Sequence, residues 1–210
     1  MKTNFLTAFE KWANWKSILA LFGLQTLFVL VILPGASSGN TTDLPSLDMQ
    51  FWYTPQRAYQ IISAHSPETL RAMAITRLTI DIIYPLVYGL MISFLLIVSF
   101  RRAFPPSMDD SARSMLLQRS SLMKGETASS REHAPRGGIS DFIVFIPWGG
   151  VFFDYLENIS LATMYLSYPT KLIPLAWMAS IFTAIKWALI GIGFALVLIG
   201  AVKLAFTKKE

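Results

Sequence analysis

The sequence contains no cysteine, and only two of its 210 residues are histidines. Without thiols the chain offers no disulfide, no thiolate nucleophile, no iron–sulfur ligand and no Cys-type zinc site. His65 and His133 lie outside the apolar runs. This position excludes a buried haem held by two histidines and the Glu-x-x-His ligands of di-iron bundles. We therefore expect no metal and no cofactor.

Recognisable enzyme motifs are also missing. The sequence has no phosphate-binding loop, no dinucleotide fingerprint and no serine elbow. An acid/base pair acting on a membrane-dissolved substrate is the one enzymatic interpretation that residues of this chain support. The sequence therefore leaves catalysis open and favours a protein that is not an enzyme.

Charged residues are scarce, at 15% of the chain against roughly 25% in ordinary globular domains. Apolar residues make up 53% and the mean hydropathy is +0.48. A hydrocarbon core of about 30 Å takes about 20 helical residues to cross, and four runs are long enough: 17–34, 73–100, 142–166 and 173–204. The sequence predicts one all-α domain over residues 1–210, a polytopic membrane protein with a four-transmembrane-helix bundle.

Basic residues are distributed by membrane side. Thirteen lie before the first run, between the second and third runs (101–141) or at the end of the chain, whereas the connection 35–72 and the short one after the third run hold only three. By the positive-inside rule, both termini and the 101–141 connection are predicted to be cytoplasmic. The basic residues do not form one face, so no nucleic-acid partner is expected. Trp12 and Trp15 favour a retained first span over a cleaved signal peptide.

The outer connection carries a helix-start signal. Thr54 precedes Pro55, and an N-cap threonine followed by proline at the first helical position predicts a short outer-side helix to about Ala64. Residues 66–68, Ser-Pro-Glu, repeat the signal. No further breaker of this kind precedes Arg101, so the second span is predicted to be one long helix.

Seven polar residues lie inside the second, third and fourth apolar runs at helical spacing. Spacings of three and four residues place each set on one helix face, and their depths are similar. Ionisable groups within a membrane segment mark a functional site by default. We predict that one buried cavity leaning toward the outer side forms a ligand-binding site from Arg77, Asp81, Tyr84, Asp154, Glu157, Asn158 and Lys186.

The charges of this set do not balance. Two cations face three carboxylates, so full ionisation leaves one negative charge, and we expect a proton to be held within the Asp154/Glu157 pair. Pro85 cannot donate to the carbonyl four residues earlier and therefore frees the backbone oxygen of Asp81. Pro147 is predicted to interrupt the third span beside the site.

Short motifs recur around these residues: Asp81-x-x-Tyr84-Pro85, Asp154-x-x-Glu157-Asn158 and Phe182-Thr183-x-x-Lys186-Trp187. Their combination over residues 50–200 resembles a group of small uncharacterised prokaryotic four-helix membrane proteins. The resemblance implies that fold and a prokaryotic plasma (inner) membrane, but no activity. Gathered carboxylates in four helices are also similar in architecture to the sterol-isomerase and sigma-2-receptor superfamily, whose cavity binds amphiphilic amines or sterols, without a residue-by-residue match.

Three functions fit these observations. The first is binding of an amphiphilic or lipid-like small molecule in the polar cavity, with membrane lipid as the surroundings. The second is a non-catalytic accessory subunit of a larger membrane complex, in which the charges hold partner helices together. The third is a proton-coupled carrier, although four spans without an inverted repeat make poor alternating-access machinery. A purely structural role of the charged network also remains open.

Overall fold

The structure, a computed structural model, describes residues 9–33, 46–104 and 142–207. These ranges are helical, without strands. Their long α-helices are α1 Trp15–Leu27, α2 Pro55–Ser63, α3 Pro67–Leu78, α4 Ile80–Leu96, α5 Ile146–Ser167 and α6 Ile173–Thr207. The first part of the predicted outer connection and most of the 101–141 connection lie outside the described residues.

Three helical stretches are long and apolar enough to cross a membrane: Trp15–Ile32, Pro67–Arg101 and Ile173–Thr207. They correspond to the first, second and fourth predicted spans, and they support the prediction of a membrane protein. The segment predicted as the third span contains helix α5, which has 22 residues. It is not one of the three, because its polar residues lower the mean hydropathy of the helix.

Helix α5 lies at the centre of the described fold, where it packs against α3, α4 and α6. Leu161 and Met164 are fully buried. Half of the α5 residues are buried, including charged ones. Burial of polar side chains is tolerated where they meet partners inside the protein. The position of α5 therefore directs its polar residues into the protein rather than into lipid.

The predicted start signals of the two outer helices are confirmed. The Thr54 hydroxyl accepts a hydrogen bond from the Arg57 backbone N–H at 3.3 Å, and Pro55 occupies the first turn of α2. Ser66 caps α3 in the same way by accepting from the Thr69 N–H at 3.2 Å. Each cap satisfies a backbone donor that the first helical turn leaves without a partner.

The prediction of an unbroken second helix is wrong at one residue. Thr79 leaves the helical conformation, with φ −127° and ψ −76°, and separates α3 from α4. Its side-chain hydroxyl donates to the Ile75 carbonyl at 2.6 Å, while its N–H bonds only to Thr76. Threonine hydroxyls that bond back to the preceding turn bend helices. The break lies between Arg77 and Asp81, which form an ion pair across it.

The predicted third span is interrupted directly before Pro147, since residues 142–143 are helical and residues 144–145 form a turn. Helix α5 begins at Ile146, so that Pro147 lies in its first turn. A proline there costs no hydrogen bond, because the first N–H groups of a helix have no intrahelical acceptor. Pro147 therefore lies directly after the interruption, in the first turn of the helix that follows.

Close helix packing at one glycine leads to a stability prediction. A Cβ atom on Gly200 of α6 would lie 2.5 Å from the Phe100 Cα. Backbone cannot move aside as a side chain can, so Gly200→Ala should lower the free energy of unfolding by about 1–3 kcal/mol, the usual cost of overpacking. Thermal unfolding of the purified protein in detergent measures this loss.

The matched control for that variant is in the same helix. A Cβ on Gly191 would meet nothing within 4 Å. Gly191→Ala should leave the melting temperature unchanged or raise it slightly, because alanine favours helix over glycine. Equal melting temperatures for the Gly200 and Gly191 variants would contradict the close contact.

Candidate functional site

Four parts of the chain meet in one network of buried and partly buried polar side chains, which we call the polar core. They are the segment 46–53 before α2, the pair α3 and α4, α5 and α6. The polar core contains Ser46, Asp48, Arg77, Asp81, Tyr88, Asp154, Glu157, Asn158, Thr183 and Lys186. It includes six of the seven residues that the sequence predicted as a ligand site.

Arg77 occupies one end of the polar core and uses both terminal nitrogens. Its Nη1 donates to Asp48 Oδ2 at 2.9 Å, to Asp81 Oδ2 at 3.0 Å and to Asn158 Oδ1 at 3.3 Å. Its Nη2 lies 2.8 Å from Asp48 Oδ1 and donates to Ser46 Oγ at 3.1 Å. The pair with Asp48 is bidentate, which is the strong form of an arginine–carboxylate contact.

Asn158 and Asp154 of α5 connect this end to the rest of the polar core. Asn158 Nδ2 donates to Asp154 Oδ1 at 3.2 Å and to the Asp81 backbone oxygen at 3.4 Å. That oxygen is the one that Pro85 leaves without a helical donor, so the predicted free carbonyl is bound by the predicted site residue. Tyr88 donates to Asp154 Oδ2 at 2.9 Å.

Lys186 forms the other end with Glu157. The lysine Nζ lies 2.5 Å from Glu157 Oε2 and 3.8 Å from Asp154 Oδ1. Thr183, one turn earlier on α6, donates to Glu157 Oε1 at 2.7 Å. Glu157 is completely buried. A carboxylate in such a place needs both its cation and its hydrogen bonds, because an unpaired buried charge is costly.

The seventh predicted residue, Tyr84, lies at the edge of this arrangement. Its hydroxyl accepts a hydrogen bond from Gln25 Nε2 of α1 at 2.8 Å. Its ring packs edge-on against Tyr88, with 5.7 Å between the ring centroids. Tyr84 therefore contacts the polar core through Tyr88 rather than through a bond to a charged group.

Sequence reasoning missed Asp48, and with it the charge balance. The charges of the polar core are the partly exposed carboxylate of Asp48 and the buried carboxylates of Asp81, Asp154 and Glu157, against the buried cations of Arg77 and Lys186. Four minus two leaves two negative charges if all ionise, rather than the one predicted. Asp48 lies in a polar connection that has no helical periodicity. Residue spacing therefore could not predict its contact with Arg77.

Segment 46–53 covers the end of the polar core that contains Arg77, and we call this segment the strap. Trp187 Nε1 of α6 donates to the Asp48 backbone oxygen at 3.0 Å. The Tyr53 backbone N–H donates to Ser180 Oγ at 3.0 Å, and Leu47 is fully buried. The strap is held by polar contacts to α3 and α6, and Leu47 and Tyr53 pack into the apolar core beside α2.

Two buried tyrosine hydroxyls point toward the polar core without a bond. Tyr53 and Tyr165 are 2% and 3% exposed, and neither hydroxyl has a hydrogen-bond partner among the described residues. The Tyr53 phenol lies near the Thr183 hydroxyl and the Glu157 carboxylate, and the Tyr165 phenol lies near the Arg77 guanidinium, but neither contact has the geometry of a hydrogen bond. Burial raises the pKa of the Tyr53 phenol well above its usual range, so this hydroxyl stays protonated and can donate.

The Asp48–Arg77 pair predicts a dependence of stability on pH. Burial raises the pKa of Asp48, but the Arg77 charge and hydrogen bonds outweigh it and hold that pKa below its usual range. A lowered pKa in the folded state stabilises the protein above the unfolded pKa of about 4, and this contribution is lost as the pH falls further. Asp48→Asn should therefore cost about 2 kcal/mol at neutral pH.

Chemical denaturation of the wild type and the Asp48→Asn variant at several pH values checks this prediction. The difference in free energy of unfolding should be constant above pH about 4 and should shrink below it. A difference that grows as the pH falls would contradict an ionised Asp48. Asp43→Asn, at another acidic position of the same connection, is the matched charge control.

The polar core can hold protons and can hydrogen-bond a small polar group. Among the described residues, no group of three or more histidine, cysteine, aspartate or glutamate side chains is placed to bind a metal ion. Its side chains offer acid–base groups and hydrogen-bond donors and acceptors in a mostly buried place, where such interactions are stronger than in water. Comparison with known proteins gives no family model, no functionally described protein and no solved structure that matches this chain.

Proposed function

We propose that the chain is a four-helix integral membrane protein of a prokaryotic inner membrane, with both termini in the cytoplasm. Three apolar helices of spanning length support the membrane location. The central position of α5 among α3, α4 and α6 supports α5 as an additional span, the third in chain order. The other helices would shield its polar residues from lipid. The uneven distribution of basic residues supports the orientation.

Single cysteines test this topology, since the chain has none of its own. In intact cells, a membrane-impermeant maleimide should label Gly39→Cys in the outer connection and should not label Lys124→Cys or Lys209→Cys. After lysis all three should react. Labelling of Lys209→Cys but not Lys124→Cys in intact cells would place them on opposite sides and would rule out four spans.

We further propose that the polar core binds the polar head of an amphiphilic or lipid-like small molecule. The single observation that carries this proposal is the pair of buried Tyr53 and Tyr165 hydroxyls, which face charged groups without a hydrogen bond. Leaving a buried hydroxyl unpaired costs about 1–3 kcal/mol. A ligand oxygen or nitrogen between them would remove that cost.

Two further features support the same proposal. The polar core has two more carboxylates than cations, so it favours a ligand head that brings hydrogen-bond donors. The strap covers it through polar bonds at Arg77, Ser180 and Trp187, which water can replace when the strap opens. Apolar helix surfaces around the site would accommodate the ligand's hydrocarbon part.

The experiment is native mass spectrometry of protein released gently from its own membrane, comparing the wild type with Tyr165→Phe and Tyr53→Phe. A discrete small-molecule mass should accompany the wild type, and each variant should retain it about tenfold less while melting at an unchanged temperature, since the lost hydroxyl bonds no protein atom. Absence of any such mass in the wild type, or its equal retention in both variants, would overturn the proposal.

Tyr155→Phe is the matched control. The Tyr155 hydroxyl donates to the Ile82 backbone oxygen at 2.8 Å in an exposed position, so it already has a protein partner. Its removal should lower the melting temperature slightly and leave ligand retention unchanged. The two tyrosine classes thus separate a structural hydrogen bond from a ligand contact.

An accessory-subunit function is the second candidate, and α6 favours it. This helix of 35 residues extends roughly 50 Å, and its most apolar part is almost entirely exposed in the described fold. Lipid or a partner helix could cover that surface. In the same mass spectra, other protein chains in fixed proportion and no small-molecule mass would favour the subunit.

A further inference from the structure

An apolar groove lies between the N-terminal segment, α1 and α4, separate from the polar core. Its volume is about 490 Å³, within the range of small-molecule sites. The lining is apolar except for one serine and consists of Phe9, Trp12, Ser17, Ala20, Leu21, Leu90 and Phe94. No residue of the polar core contributes to it.

The groove is formed by a sharp turn of the chain before α1. Asn14 is extended and caps α1 by accepting from the Ser17 N–H at 3.0 Å. The preceding residues fold back, so that Phe9 packs edge-on against Phe94 with ring centroids 5.4 Å apart. Buried Ala13 holds the turn against the helices. The groove is therefore part of the folded structure rather than a gap between loose segments.

Two basic residues are sequence neighbours of residues that line this groove. Lys11 and Lys16 directly adjoin the lining residues Trp12 and Ser17, and both are exposed. Neither forms an ion pair with a described residue, whereas the nearby Glu10 is already neutralised by Arg101. An apolar groove with exposed lysines close to it in the chain is complementary to an anionic amphiphile, because long lysine side chains can reach a neighbouring phosphate.

Exposed tryptophans indicate the level of this site in the membrane. Trp12 and Trp15 are 68% and 66% exposed. Tryptophan is enriched at the membrane–water interface, where lipid head groups lie. The groove thus begins at head-group level and continues along α1 and α4 toward the apolar part of the helices.

We propose that this groove binds an anionic phospholipid, with one acyl chain along Ala20, Leu90 and Phe94 and the phosphate at Lys11 and Lys16. A second copy of this chain is a poorer occupant, because a two-fold contact here would bring the lysines of both copies together. The proposal is independent of ligand binding at the polar core.

The test uses the full-length protein in nanodiscs of phosphatidylcholine and phosphatidylglycerol in equal amounts, followed by native mass spectrometry of retained lipid. The wild type should retain phosphatidylglycerol in preference. Lys11→Ala and Lys16→Ala should each reduce that preference by about fivefold, the effect of about one basic residue at an anionic surface. Lys171→Ala, in the connection before α6, is the charge control and should change nothing.

A groove-filling variant tests the acyl-chain site separately. Ala20→Trp should reduce retention of both lipids, whereas Leu19→Trp, at an exposed neighbouring position outside the groove, should not. Thermal unfolding of each variant checks that the fold is kept. Unchanged retention in the folded Ala20 variant, or a dimer that this variant dissociates, would overturn the proposal, the latter by making a second copy the occupant.

Discussion

Lys186→Met should lower the free energy of unfolding by about 3–5 kcal/mol, the cost of breaking a buried ion pair from one side. Lys186 is 5% exposed and is the cation nearest to both Glu157 and Asp154. Methionine keeps most of the side-chain volume, so that the loss reports the charge rather than a cavity. Thermal and chemical unfolding in detergent at neutral pH measure it.

The double variant Lys186→Met/Glu157→Gln distinguishes charge from packing. Removing the carboxylate that the lysine neutralises should recover part of the lost stability, so the two changes should not add. Lys203→Met is the control on the same helix. Lys203 is exposed near the end of α6, where it lies over the Phe104 ring and not beside a buried carboxylate. A Lys186 variant as stable as the Lys203 variant would mean that water reaches Glu157.

Arg77→Met should produce a loss of similar size and, in addition, release the strap. Arg77 alone connects Ser46 and Asp48 of the strap to Asp81 and Asn158 of the bundle. Its loss leaves buried carboxylates without their cation, again at about 3–5 kcal/mol. Arg77→Lys should recover only part of this, because lysine cannot form the bidentate contact.

Maleimide labelling of single cysteines measures strap release. Leu47→Cys and Leu161→Cys report two fully buried positions, one in the strap and one in α5. With Arg77→Met added, the strap cysteine should react much faster and the α5 cysteine should remain slow. Equal acceleration at both positions would indicate general unfolding, and no acceleration would show that Trp187 and Ser180 hold the strap without Arg77.

Helical periodicity was sufficient to group most of the polar core. Asp154, Glu157 and Asn158 share one face of α5, and Lys186 lies one turn after Thr183 on α6, as their spacing predicted. The predicted free carbonyl of Asp81 has its partner in Asn158. A shared helix face follows from residue spacing, and the free carbonyl follows from the missing N–H of proline. Both can be predicted from the sequence alone.

Positions in irregular segments were not readable in the same way. Asp48 is far from Arg77 in the sequence, and no period relates a three-residue turn to a helix, so its bidentate contact was not predicted. The break at Thr79 was missed because threonine is common inside membrane helices. It becomes visible only when its hydroxyl is found on the Ile75 carbonyl.

Composition and the length of the apolar runs alone predicted an all-helical membrane-type chain. In lipid the backbone N–H and C=O groups must bond to each other, and a single apolar run achieves this only as a helix. Side-chain period determined which charges could share a helix face. Only the tertiary structure decided which charges pair, that Tyr84 lies at the edge, and that Tyr53 and Tyr165 face the polar core unbonded. The physical reason is that pairing depends on the distance between atoms of different helices, which the spacing within one helix does not contain.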